Sequence, residues 1–215
     1  MLVPIGLMIS MVISQFFSKR KLTNLLYLDN VTGGKNWLYF KSNANLIMKK
    51  RKNRDKTYGI IAFEINQFRL FCDFNGATAG DELLESINSQ MKNFLVKGEL
   101  FARYSESEFG LLLSCSTVED LQERLQKIFD TLSRNSTNGK IHFSAGVYMI
   151  CDKKIPIERV YSYANGALDT INGQLETQIV MFDSKIRDQR LWEKEVENTM
   201  EDALKNKEFI VYLQP

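Results

Sequence analysis

Residues 59–65, GIIAFEI, form an almost unbroken apolar run. Its length suits a strand better than a helix. A strand that is apolar on both faces belongs inside a sheet covered by other elements. A second signal constrains what lies beside it. In residues 101–115, FARYSESEFGLLLSC, two apolar runs flank a polar tip, Ser105-Glu106-Ser107-Glu108. That pattern predicts a β-hairpin, a rigid place to hold side chains over a site.

The remaining periodicities supply the covering layers. A helix is expected from about residue 37 to 50, with Trp37, Phe40, Leu46 and Ile47 near one face. Residues 75–80 read as a turn. Residues 81–95 read as an amphipathic helix carrying Leu83, Leu84, Ile87, Met91 and Phe94. Another spans 117–134, with Thr117 as N-cap, Glu119 and Asp120 in the first turn, and Leu121, Leu125, Ile128, Phe129 and Leu132 on its core side. A strand over 141–150, a helix over 157–171 and a strand over 178–182 follow. This order predicts an α/β (α+β) fold, a central mixed sheet flanked by helices. Residues 184–207 read as a charged linker helix with a thin apolar stripe at Leu191, Val196, Met200 and Leu204.

The 215 residues suit one globular domain with appended pieces. Net charge is only +2, so nothing argues for a nucleic-acid surface. His142 lies in a strand-like run and reads as structural. Cys72, Cys115 and Cys151 lack zinc spacing, and an odd count fits buried or half-buried thiols in a reducing compartment. Residues 1–17 carry no charge and are followed by Ser18-Lys19-Arg20-Lys21. As a helix they would span roughly 25 Å, slightly short of a hydrocarbon core of about 30 Å. A buried core helix is one reading. The abrupt basic stop favours the C-terminal part of a transmembrane helix in the inner (cytoplasmic) membrane, with residues 18–28 as connector and the rest in the cytoplasm. No charge precedes the run, as a secretory signal would require.

Several short motifs occur in order. They are Asp29-Asn30-Val31-Thr32-Gly33-Gly34-Lys35-Asn36, then Glu64-Ile65-Asn66-Gln67-Phe68-Arg69, then Cys72-Asp73, Gly76-Ala77 and Gly80-Asp81. The tip Ser105-Glu106-Ser107-Glu108-Phe109 and Ser144-Ala145-Gly146 complete the series. In this order and spacing, residues 29–183 resemble the GGDEF family, the diguanylate cyclase domain. The resemblance implies a nucleotide-cyclase-like palm and a site that would join two GTP molecules into cyclic di-GMP with the help of Mg²⁺.

The family's metal ligands fall at Glu64 and Ser107, and Glu108 keeps the fourth place of the signature pentad. Its two pentad glycines are replaced by Ser105 and Glu106, which crowd the phosphates and add negative charge. Its guanine-recognising asparagine and aspartate fall at Cys72 and Asp81, of which only Asp81 can accept from the guanine edge. Its late phosphate-binding lysine and arginine fall at Asn172 and Glu176, and Trp37 stands where an arginine is usual. Its inhibitory RxxD motif falls at Val96-Lys97-Gly98-Glu99, without the arginine, so no inhibitory site is expected.

Residues 208–215, EFIVYLQP, resemble the first strand of an EAL domain, the cyclic di-GMP phosphodiesterase. The resemblances together imply a catalytically degenerate regulatory domain in a membrane-anchored bacterial signalling protein, modulating a downstream EAL domain and binding GTP, with Mg²⁺ held by Glu64 and Glu108. Two other readings stay open. One is a dimerisation and signal-relay module, a homodimer without nucleotide, in which Glu64, Glu108 and Asp81 are ordinary solvated or capping acids. The other is a residual cyclase using Glu64 and Glu108.

Overall fold

The structure, a computed structural model, describes residues 11, 14, 25–50, 53, 55–136, 139–171 and 175–206. The expected membrane helix (save two residues), most of the connector, Asn172 and the EAL-like strand at 208–215 lie outside these residues. No helix among the described residues is long and apolar enough to cross a membrane.

The run at 59–65 is the middle of the molecule. Strand β1 (Thr57–Ile65) lies at the centre of a five-stranded sheet. On one side it pairs antiparallel with β3 (Glu108–Cys115), which pairs with β2 (Leu100–Arg103) to close the hairpin. On the other it pairs antiparallel with β4 (Phe143–Met149), and β5 (Gln178–Met181) adds in parallel at the edge.

Alternate residues of β1 feed separate cores. Ile61, Phe63 and Ile65 pack with helices α3 (Ala77–Phe94) and α4 (Val118–Arg134). Tyr58, Ile60 and Ala62 pack with α1 (Trp37–Lys49) and α5 (Ile157–Leu168). Both faces of the strand are therefore dry, which is why its sequence has no polar alternation.

Local signals place most helix ends. Asn36 caps α1, its side chain accepting from the Tyr39 amide at 3.0 Å, and Thr117 caps α4, accepting from Asp120 at 3.1 Å. The buried face of α1 differs from the expected one. It is Phe40, Ala44 and Met48, one residue per turn, while Leu46 points outward and is 61% exposed. The small Ala44 lets the helix lie close to the sheet, and apolarity alone gave it too little weight.

Helix α2 (Phe68–Asn75) was not expected. It buries no residue fully, although Phe68 and Phe71, three apart, pack against the core, and its eight residues are too short a run for the helix period to stand out. It begins after Gln67 (φ 54°) and ends at Gly76 (φ 89°), whose positive φ suits glycine. The expected 75–80 turn shrinks to that glycine, and α3 starts at Ala77. Cys72 and Cys115 are half-buried thiols, but Cys151 is exposed, because it follows the end of β4. Beyond β5, Asp183 caps the 22-residue α6 (Ser184–Lys205).

Candidate functional site at the hairpin tip

Strand register builds the site. The β1–β3 ladder sets Glu64 directly opposite Glu108, and the β1–β4 ladder sets Glu64 opposite Ser144. The tip folds back on this end of the sheet. Ile65 donates its amide to the Ser107 carbonyl at 3.2 Å, and Tyr104 donates to the Glu108 carbonyl at 2.8 Å. The Ser105 hydroxyl donates to the Glu108 carboxylate at 2.7 Å.

The electrostatics are those of crowded acids. Burial pushes the Glu64 carboxyl above its ordinary range, and the charges of Glu108 and Asp169 push it further. Asp169 follows α5 at its C-terminal end. The buried Tyr161 phenol is raised by desolvation first, then by Glu108, Tyr104, Asp169 and Glu64. Glu64 and Tyr161 thus both feel the charges of Glu108 and Asp169 at one end of the sheet.

Arg103, the last residue of β2, serves the architecture of the tip. Its Nη2 donates to the Glu106 carbonyl at 2.7 Å, and its Nε donates to the Ser105 and Glu106 carbonyls, both at 3.1 Å. Its Nη1 reaches Asp29 at 3.1 and 3.3 Å. Asp29 also accepts from the Thr32 amide and hydroxyl at 2.8 and 2.9 Å. Burial alone would raise the Asp29 carboxyl, but these donors hold it below the usual range. The side chains of Arg103 and Asp29 are only 14% and 19% exposed.

Replacing Arg103 with alanine is therefore expected to lower stability by about 2 kcal/mol. Amide exchange at residues 105–107 should accelerate beyond that of the β3 core. Equal protection of the tip in both proteins would contradict this role.

Aromatic rings fill the space beside the acids. Trp37 lies 4.4 Å from Tyr161 and 4.9 Å from Tyr104, centroid to centroid. Gly110 of β3 admits this packing, since a Cβ there would meet the Trp37 ring at 3.0 Å.

Of the second expected pair, Cys72 lies beside the residue that precedes Asp81. Cys72 on α2 faces Gly80 on α3, where a Cβ would come within 2.5 Å of the sulfur. Burial pushes the Cys72 thiol up, and Asp73 and then Asp81 add to the shift. Asp81 itself is exposed. Glu176 is exposed, and its carbonyl accepts from the Asn66 side chain at 3.2 Å. Glu99, by contrast, is buried and paired with Arg124 at 2.7 Å.

Among the described residues, no group of three or more His, Cys, Asp or Glu side chains gathers closely enough to hold a metal ion. The opposed Glu64 and Glu108 do match the looser Mg²⁺ mode, in which one or two carboxylates act with water and substrate phosphates. Ser107 adds no charge to that pair. Sequence reasoning missed Arg103, Asp169 and the partners of Trp37. Asp29 and Arg103 lie 74 residues apart, and only closure of the sheet brings them together.

A family model, "Diguanylate cyclase, GGDEF domain", matches residues 26–176. The chain is 26% identical over 156 residues to the probable diguanylate cyclase DgcE of Escherichia coli, covering 69% of this chain and 14% of that protein. It is 24% identical over 205 residues to the cyclic di-GMP phosphodiesterase PdeB of Shewanella oneidensis, covering 92% and 23%. The chain spans less than a third of the length of the curated relatives it matches. The solved coiled coil and GGDEF domain of DgcB from Caulobacter crescentus, in complex with c-di-GMP, has the same fold. Its TM-score is 0.71 at 16% identity, with 83% of this chain and 97% of that one covered.

Proposed function

This chain belongs to the GGDEF family of diguanylate cyclase domains, and we propose that it is a regulatory member that does not itself make cyclic di-GMP. One observation carries the reading. At the tip, Glu64 and Glu108 stand opposite each other and Asp169 adds to the charge felt by Glu64, while the nearby Arg103 is engaged by Asp29 and the tip carbonyls.

Phosphoryl transfer between two GTP molecules gathers negative charge that fixed cations must offset. Here the family's third pentad position is Ser107, and Glu106 adds an anion beside it. Losing one such contact typically raises the barrier by roughly 3–4 kcal/mol, and losses at one site need not add. When bound, Mg²⁺ would supply charge neutralisation at the phosphates, and Glu64 and Glu108 are the residues that would hold it. Cys72 and Asp81 would meet the base, with Asp81 alone able to accept from it.

Residues 1–17 with Lys19-Arg20-Lys21, and the terminal EFIVYLQP, support placing this domain in the cytoplasm, between a membrane anchor and an EAL phosphodiesterase domain. The similarity over most of the chain to PdeB, a cyclic di-GMP phosphodiesterase, supports the phosphodiesterase part of this reading. A relay role without nucleotide is favoured by the Arg103–Asp29 contact, which ties the tip to the first turn of the domain.

Two measurements test this. Incubation of the purified chain with GTP and Mg²⁺ or Mn²⁺ is expected to yield no cyclic di-GMP. Turnover at a typical enzymatic rate, abolished by Glu64→Ala, would overturn the proposal. Calorimetry with GTP and Mg²⁺ then separates the two regulatory forms. Heat at millimolar ligand marks a GTP sensor, and its absence marks a relay.

A further inference from the structure

A small cavity lies on the side of α2 away from α3. Its volume is about 230 Å³. Sites for drug-sized molecules run to roughly 300–1,000 Å³, so an occupant here is smaller. Helix α2 forms one wall through Leu70, Phe71 and Phe74, and residues 140–142 form the other. The second wall is fixed beside the end of β1, because Asn66 donates its amide to the His142 carbonyl at 2.9 Å. Leu70 and Phe74 each lie two positions from Cys72, about 200° around the helix. Cys72 faces Gly80 of α3, so the cavity opens on the opposite face.

Two features of the lining select what fits. The first is apolar surface. Ile65 and Ile141 are closed off, 2% and 5% exposed, whereas Leu70, Phe74 and Leu175 are 46%, 81% and 72% exposed. Large apolar side chains left wet around one cavity favour an apolar occupant. The second is charge. Among the described residues no acidic side chain lines the cavity, while Lys140 and His142 do. Neither side chain has a hydrogen bond or ion pair among the described residues. An uncovered ammonium with a second donor two residues away complements one carboxylate.

We propose that this cavity binds a small organic acid, an apolar body about the size of one aromatic ring that carries a single carboxylate. The body packs against Phe71, Phe74 and Ile141, and the carboxylate meets Lys140 and His142. Occupancy ties α2 to the segment leading into β4, which makes the ligand an input to the helix that carries Cys72. The inference rests on the cavity alone and not on nucleotide binding, so it can fail while the reading above stands.

The probe is 3-phenylpropionate, titrated by calorimetry into the full 215-residue chain in mild detergent. A Kd of about 0.1–1 mM is expected, ordinary for so small a ligand. 3-Phenylpropanamide keeps the ring without the charge, and propionate keeps the charge without the ring. Each should bind at least about tenfold more weakly. Phe74→Ala with Leu175→Ala alters two exposed positions and so leaves the fold intact. It should weaken 3-phenylpropionate about tenfold. Lys140→Ala should weaken it roughly three- to tenfold, leave the amide unchanged, and be largely rescued by Lys140→Arg. Lys127→Ala, outside the cavity, should change nothing. No binding at about 10 mM would overturn the proposal. So would equal affinity for the amide, or binding indifferent to the cavity variants, as uptake by detergent micelles would be.

Discussion

Glu99→Ala is expected to destabilise the fold by about 3–5 kcal/mol, the usual result of removing one partner from a buried ion pair. The side chain of Glu99 is 0% exposed. One carboxylate oxygen accepts from the Ser114 amide at 3.0 Å, the Ser114 hydroxyl at 2.9 Å and Arg124 Nη1 at 2.7 Å. The other accepts from the Val96 amide at 3.0 Å and Arg124 Nη2 at 2.7 Å. Arg124 also donates to the Phe94 carbonyl at 2.7 Å. One carboxylate thus ties together the end of α3, the turn before β2, the far end of β3 and the middle of α4. Alanine would leave five donor hydrogens around a closed-off position without their acceptor, and that penalty exceeds the net worth of the pair.

The same network fixes a pH dependence. Burial acts on Glu99 most strongly and would raise its pKa. The bonds from Arg124, Val96 and Ser114 outweigh burial and hold the carboxyl below its ordinary range. A depressed folded-state value means that the stabilisation is complete above the unfolded value of about 4.3 and is lost as pH falls through the folded value. Urea unfolding of the wild type should therefore weaken in acid more steeply than that of Glu99→Gln, which has no charge to lose. Glu99→Leu with Arg124→Met should recover much of the loss, because a packed apolar pair needs no donors. A loss under about 1 kcal/mol for Glu99→Ala would show that water reaches the carboxylate.

These contacts mark where sequence reasoning reaches and where it stops. The central strand, the hairpin and the Thr117 cap follow from local pattern, and each appears in the structure. Only the family resemblance names Glu64 and Glu108 together; their opposition comes from the β1–β3 register, which no local pattern fixes. Helix α2 escaped because eight residues are too short for its period to stand out, and Leu46 misled because apolarity does not fix the face of a helix whose close approach depends on Ala44. Neither the Glu99–Arg124 pair nor the Asp29–Arg103 pair has a local signature. Each is a contact between distant segments that exists only once the sheet has closed. The motif at the tip showed where chemistry would sit, and tertiary closure decided that its arginine faces inward to the backbone.

Gly146→Ala is expected to be at least as damaging, by about 3 kcal/mol or more, although it adds one methyl group. Gly146 lies on β4 between Ala62 of β1 and Val180 of β5. A Cβ there would fall 2.0 Å from the Ala164 carbonyl oxygen and 2.3 Å from the Leu168 amide nitrogen. Both atoms are backbone of α5, so no rotamer change relieves the overlap. The helix must lift from the sheet, taking with it Tyr161 and Asp169 and opening the packing among Trp37, Tyr104 and Tyr161. Gly59 offers the control. A Cβ at Gly59 would meet Leu121 Cδ2 at 2.3 Å, the far end of a side chain that can turn aside. Gly59→Ala should therefore cost less, about 1–2 kcal/mol, and should be eased in a Leu121→Ala background. No truncation can ease Gly146→Ala, because the obstructing atoms belong to the main chain. Denaturant unfolding of the two alanine variants, each with and without Leu121→Ala, measures the contrast. A Gly146→Ala protein within 1 kcal/mol of wild type, about the size of an ordinary surface change, would mean that α5 does not lie against the sheet as described.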